Sequence, residues 1–397
     1  MHTTRVVAVI IAGGLSLAAC GSSSGSGSAT SGPIKIGMVA PLTGPYAALG
    51  SGDKAAAEQE VKKINAAGGV MGRKLQLSAS DDKGDQTQSV TEFSRFATDK
   101  GVSAILSSAV VTASTAVGPS AISNKVPTLA LGPVAAFADG SNPYAFTVTS
   151  PNSAYAAKLV EYFASTGVKT LSIGYNGKDV YGSTGNAATK DAAKAAGIKV
   201  VMDEPFDPGA TDFTALITKA KKAKADAFVV WAAGPAPVII AKQLQGTGIS
   251  MVGTGANASN LFTEPAGKAA EGMVMGSSIA LVGDDLPSGV YKDLVTGFST
   301  TWKSTHKDVA PPQFAFDGAA GIELVAAAIK KAGSSDREAI RKALETLDVL
   351  TVTGHYTMSK TNHAGLDKTA VAVVQVKNGA FTVTDFSRKL LVSELPK

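Results

Sequence analysis

From Ile34 onward the chain alternates two kinds of segment: short, nearly continuous apolar runs and longer stretches with the three-and-four spacing of amphipathic helices. Ile34–Ala40, Leu75–Asp81, Val102–Ser107 and Pro127–Leu131 read as strands, and Ala47–Ala66, Thr87–Asp99 and Ser114–Asn124 read as the helices between them. Gly68-Gly69 stops the first helix. Strands that are apolar on both faces and separated by helices belong in a parallel sheet covered on both sides. A second series repeats the pattern, with strands at Thr170–Tyr175, Ile198–Pro205, Ala227–Ala232 and Met251–Gly253. Its helices are Ala154–Ser165, Asn186–Ala196, Phe213–Ala223 and Pro237–Gln245. The expected fold class is therefore α/β, as two doubly wound lobes.

The segments that fit neither series connect the lobes. Tyr144–Pro151, with its Thr147-Val148-Thr149 run, reads as a first crossing strand, Gly272–Leu281 as a second and Leu350–Tyr356 as a lone third. Three helical stretches, Val290–Thr305, Phe314–Ala332 and Asp336–Leu347, lie between the last two, and a β-rich tail, Ala370–Phe386, ends the pattern. The expected domains are 34–147 plus 275–350 for the first lobe and 148–274 plus 351–397 for the second. Two lobes joined by short strands make a hinge with a cleft between them.

The N-terminus is of another kind. Arg5 precedes the apolar run Val6–Ala19, which Gly13 and Gly14 interrupt, and Leu17-Ala18-Ala19 leads into Cys20, the only cysteine. The run is too short and too Gly-rich for a permanent span and reads as a cleaved targeting segment, residues 1–19. It resembles a bacterial lipoprotein signal, which implies a diacylglyceryl thioether on Cys20. Residues 20–33 then comprise that cysteine and a linker made almost entirely of Gly and Ser, a composition whose reach is roughly 20 Å. The expectation is a body anchored to the outer face of the cell membrane by lipid alone. With the thiol committed there, the body has neither a disulfide nor thiolate chemistry. The formal net charge of +5 is mild and the lysines are scattered, so nothing points to nucleic acid.

Catalytic clusters are missing from the sequence. His306, His355 and His363 have no ligand spacing, and there is no HExxH, no CxxC and no phosphate loop. The string Gly21 to Gly25 matches GxSxG but lies in the linker, not on a strand-to-helix turn. Asp81-Asp82, adjacent on a strand and so facing opposite ways, reads as a turn and helix cap rather than an acid–base pair. The expectation is no enzyme, no metal and no cofactor. Ligands of doubly wound sheets sit beyond the carboxyl ends of the strands, which here carry small polar residues with Phe137, Tyr181 and Trp231 as aromatic candidates.

Ile34-Lys35-Ile36-Gly37 followed by Pro41-Leu42-Thr43-Gly44-Pro45 resembles the opening of the branched-chain amino-acid binding proteins of ABC importers. So do Ile64 to Leu75 (INAAGGVMGRKL), Asp81-Asp82, Asp212-Phe213 and Phe314-Ala315-Phe316-Asp317-Gly318-Ala319. The resemblance implies the type I periplasmic-binding fold with three crossover strands, working as a monomer that delivers a small solute to membrane permease subunits. It places ligand contacts at Leu49, Val111, Thr112, Gly132, Pro133, Val134, Tyr181, Trp231, Gly234 and Gly255. Thr112, with amides at the start of its helix, would hold a carboxylate. The family acid that pairs with the α-ammonium falls on Gly255, and hydroxyls are missing at Val111 and Val134. Asp179, Asp207 or Asp212 could stand in for that acid. Two ligand classes therefore stay open, a branched-chain-type amino acid and a hydrophobic or aromatic carboxylate without an amine. Sensing for a membrane kinase stays open beside import.

Overall fold

The structure, a computed structural model, describes residues 32–394. The expected targeting segment, Cys20 and the expected linker up to residue 31 lie outside the described residues, as do 395–397. Residues Pro33–Lys397 form one compact unit.

Its first sheet contains β1 (Ile34–Ala40), β2 (Leu75–Asp81), β3 (Val102–Ser107), β4 (Thr128–Ala130) and β5 (Ala145–Thr147), all parallel, in the order β2-β1-β3-β4-β5. β3, in the middle, is buried at every position, which is why its run alternates with nothing polar except serine. The second sheet begins with β6 (Thr170–Asn176), β7 (Lys199–Phe206), β8 (Ala227–Trp231), β9 (Met251–Gly253) and β10 (Val274–Ser278), again parallel. A hairpin then follows, β11 (Asp348–Thr351) with β12 (Gly354–Thr357). Finally β13 (Val371–Lys377) and β14 (Ala380–Val383) join the second sheet antiparallel, giving the order β14-β13-β10-β9-β8-β6-β7. The molecule is thus two α/β lobes, with three passages of the chain between them.

Two expected boundaries move. β10 pairs with β9 and β13, so the second passage falls after Ser278 and not at 275. The lone crossing strand expected over Leu350–Tyr356 is instead the β11–β12 hairpin. The chain stays with the first lobe as far as His363, whose carbonyl accepts the Thr147 N–H (3.1 Å) and whose N–H donates to Ala138 O (2.8 Å). The third passage comes between His363 and β13.

The helix Gln313–Ala332 is buried along most of its length and packs on Ala47–Ala66. Their backbones touch at Gly318, where a Cβ would lie 2.1 Å from the Asp53 carbonyl oxygen; only glycine allows that approach. Asp81 does not cap the next helix. Its carboxylate accepts from the Leu42 (2.8 Å) and Thr43 (3.2 Å) amides and the Thr43 hydroxyl (2.5 Å), so it ties down the loop after β1. The cap is Asp85, which accepts from the Gln88 amide.

Candidate functional site: a cleft between the lobes

A cavity of about 180 Å³ opens where the carboxyl ends of the strands of both sheets converge. From the first lobe Leu49, Val111, Thr112, Gly132 and Pro133 line it, and from the second Tyr181 and Gly255, all expected from the sequence. Val134, Trp231 and Gly234 do not. Val134 is fully buried in the hydrophobic core behind Val111. Trp231 closes β8 with its ring turned away from the cavity, 0 % exposed, and its indole N–H donates to the Thr189 hydroxyl (2.8 Å). It supports the site at one remove, edge-on to Tyr181 with ring centroids 5.4 Å apart. Gly234 sits beside the Tyr46 ring, which reaches across from the first lobe; a Cβ there would be 3.1 Å from Tyr46 Cε1. Phe137 is likewise core.

Tyr181 is held rather than free. Its hydroxyl accepts from the Ala256 amide (3.3 Å) and shares a hydrogen bond with the Thr254 hydroxyl (2.8 Å). Burial pushes its pKa up, so the phenol is neutral and its ring is the part available to a ligand. Of the three acids considered as stand-ins, only Asp179 lines the cavity. It caps the helix Val180–Ala195 through the Gly182 amide (2.6 Å) and accepts from the Asn176 side chain. Asp207 is exposed and paired with Lys178 (2.5 Å), and Asp212 is engaged by Thr214.

Several lining residues were not expected: Tyr46, Tyr155, Gln313, Phe314 and Asp317. The last three open the Gln313 helix, whose residues 314–319 carried only a resemblance of block, with no role attached. Gln313 links the passages between lobes. Its side-chain N–H donates to the Tyr155 hydroxyl (3.2 Å), while its oxygen accepts from the Ser278 amide (3.1 Å) at the end of β10. Tyr155 lies in the first turn of the helix Asn152–Ser165, and the sequence alone assigns it no role. It explains Gly255: a Cβ at 255 would be 2.8 Å from the Tyr155 ring carbons Cε1 and Cζ. The ring occupies the space that a side chain at 255 would need.

Two lobes, each presenting strand ends and helix starts to a shared cavity, define a solute-binding protein of the type that encloses a small molecule. Residues 33–380 match the sequence profile of the family described as Periplasmic binding protein, and the chain belongs to that family. A Leu/Ile/Val-binding protein homolog 3 from Brucella melitensis is 29% identical over 354 residues, covering 87% of this chain and 93% of that one. A leucine-, isoleucine-, valine-, threonine- and alanine-binding protein from Pseudomonas aeruginosa is 28% identical, with 91% and 92% covered. Among solved structures, an extracellular ligand-binding receptor from Rhodopseudomonas palustris HaA2 superposes with a TM-score of 0.82 at 28% identity, covering 89% of this chain and 100% of that one.

Proposed function

We propose that this protein is the extracytoplasmic, lipid-anchored solute receptor of an ABC importer, closing on a branched-chain-type amino acid and presenting it to the permease subunits. The observation that carries the reading is the cavity itself, shared by both lobes and combining apolar walls (Leu49, Val111, Leu131, Pro133) with Thr112 and one buried acid. Apolar walls with a few convergent polar groups suit a small amphipathic solute. Thr112 serves the carboxylate, and the Tyr181 ring, backed by Trp231, covers the aliphatic body. The names of the relatives support the amino-acid class.

A second reading has one observation in its favour: with Gly255 overlaid by Tyr155, a hydrophobic or aromatic carboxylate without an amine would also fit. A thermal-shift screen pairing leucine, isoleucine and valine with their deaminated analogues, such as 4-methylpentanoate for leucine, separates the two. The expected result is stabilisation by the amino acids. Stabilisation by the deaminated acids alone would overturn the amino-acid class.

A further inference from the structure

An amino acid in this cleft needs a partner for its ammonium, and position 255 cannot supply one. The cavity nevertheless contains an acid with nothing to bind. Asp317, on the second turn of the helix Gln313–Ala332, is 2 % exposed and lines the cavity, and its Oδ2 has no hydrogen-bond partner. At the contact between the two long helices lies Asp53, fully buried, with both carboxylate oxygens unpartnered. Burial raises the pKa of both acids, and the charge of Asp317 raises that of Asp53 further.

Three buried acceptor oxygens without a donor are a costly arrangement unless something supplies both donors and positive charge. An ammonium does so, with three N–H groups on a compact cation. The other acid of the cavity is not comparable, because both oxygens of Asp179 already accept hydrogen bonds from Gly182 and Asn176. We propose that Asp317, on the first lobe and with Asp53 behind it, receives the ligand's ammonium in place of the second-lobe acid that would fall at 255. The proposal rests on the amino-acid reading. It moves amine recognition onto the helix that bonds Tyr155 and Ser278 through Gln313, beside the passages between lobes.

Calorimetry on the wild-type protein and its Asp317→Asn variant, with leucine and 4-methylpentanoate as probes, tests it. Asn keeps the shape but not the charge. Leucine affinity should fall on the order of a hundredfold or more, while any binding of 4-methylpentanoate should hold or strengthen. Leucine binding by Asp317→Asn within threefold of wild type would overturn the assignment and leave the amino-acid reading standing. Failure of the wild type to bind leucine, isoleucine or valine would overturn both. Should the variant not fold, a crystal structure of the wild-type leucine complex decides: the amine nitrogen is expected at hydrogen-bond distance from the Asp317 carboxylate, and an amine bonded only to Asp179 or to second-lobe groups overturns the proposal.

Discussion

A single substitution tests how firmly Tyr155 and Gly255 are matched. Restoring an acid with Gly255→Glu would give the position the chemistry that the resemblance implies for it. The ring of Tyr155 stands in the way, 4 % exposed and bonded to Gln313, with its carbons 2.8 Å from where the new Cβ would lie. Overpacking of this kind costs about 1–3 kcal/mol, so Gly255→Glu should lower both the melting temperature and leucine affinity. Calorimetry showing tighter leucine binding would mean that the ring moves aside and that Tyr155 does not block the position. Thr112 and Tyr181 were legible because they sit at strand ends and helix starts, where a doubly wound fold puts its ligand, and Leu49 through the family resemblance alone. Trp231 and Val134 occupy equally good chain positions but face the other way, and one-dimensional order does not say which way a strand's last side chain turns. Tyr155 and Asp317 were hidden because each lies in a helix that follows a passage between the lobes rather than a strand end of one sheet, and an aromatic or a lone acid there reads as core or cap until the neighbouring helix is known.

At the scale of elements, the parallel strands were legible because burial on both faces writes a continuous apolar run. The β11–β12 hairpin was not, since its strands are short and its packing partner is the distant helix Gln313–Ala332. That contact carries a pH dependence. Glu323 on this helix accepts the Val352 N–H at the hairpin turn (2.9 Å), close to Glu60 and Lys63 of the Ala47 helix. Burial, then the charge of Glu60, pushes the Glu323 pKa up to about 8 from 4.5. An acid whose folded pKa is raised binds its proton more tightly when folded, so its stabilising contribution is complete below about pH 4.5 and is lost as pH rises through about 8, at about 1.4 kcal/mol per pKa unit. Glu323→Gln keeps an acceptor for Val352 and removes the titration. Relative to wild type, its stability should be nearly equal at pH 5 and should exceed it by a few kcal/mol at pH 9 in urea unfolding. Asp53 and Asp317 shift in the same sense in both proteins, so the difference reports Glu323 together with its coupling to Glu60. A difference that does not change with pH would show that Glu323 is not neutral in the folded protein.

For the whole molecule, the two-lobed architecture followed from counting alternations, and the expected membrane attachment rests on the segment before it. Among the described residues no helix is long and apolar enough to cross a bilayer. The compact unit Pro33–Lys397 contains every residue that lines the cavity, so ligand binding and membrane attachment should separate cleanly. In the proposed receptor, Cys20 supplies the attachment. One acyl chain holds a protein only marginally, whereas the two chains of a diacylglyceryl group hold it firmly. Cys20→Ser removes the sulfur that forms the thioether and should either release the body from the membrane fraction or leave an uncleaved precursor held by its targeting segment. Leucine affinity of the released body should match that of the anchored protein, because Cys20 lies outside the unit that forms the cleft. Fractionation with mass measurement of the N-terminus checks both parts. Correctly processed Cys20→Ser protein that stays wholly with the membrane would place the anchor elsewhere in the chain, and a loss of leucine binding in the released body would show that the tether contributes to the cleft.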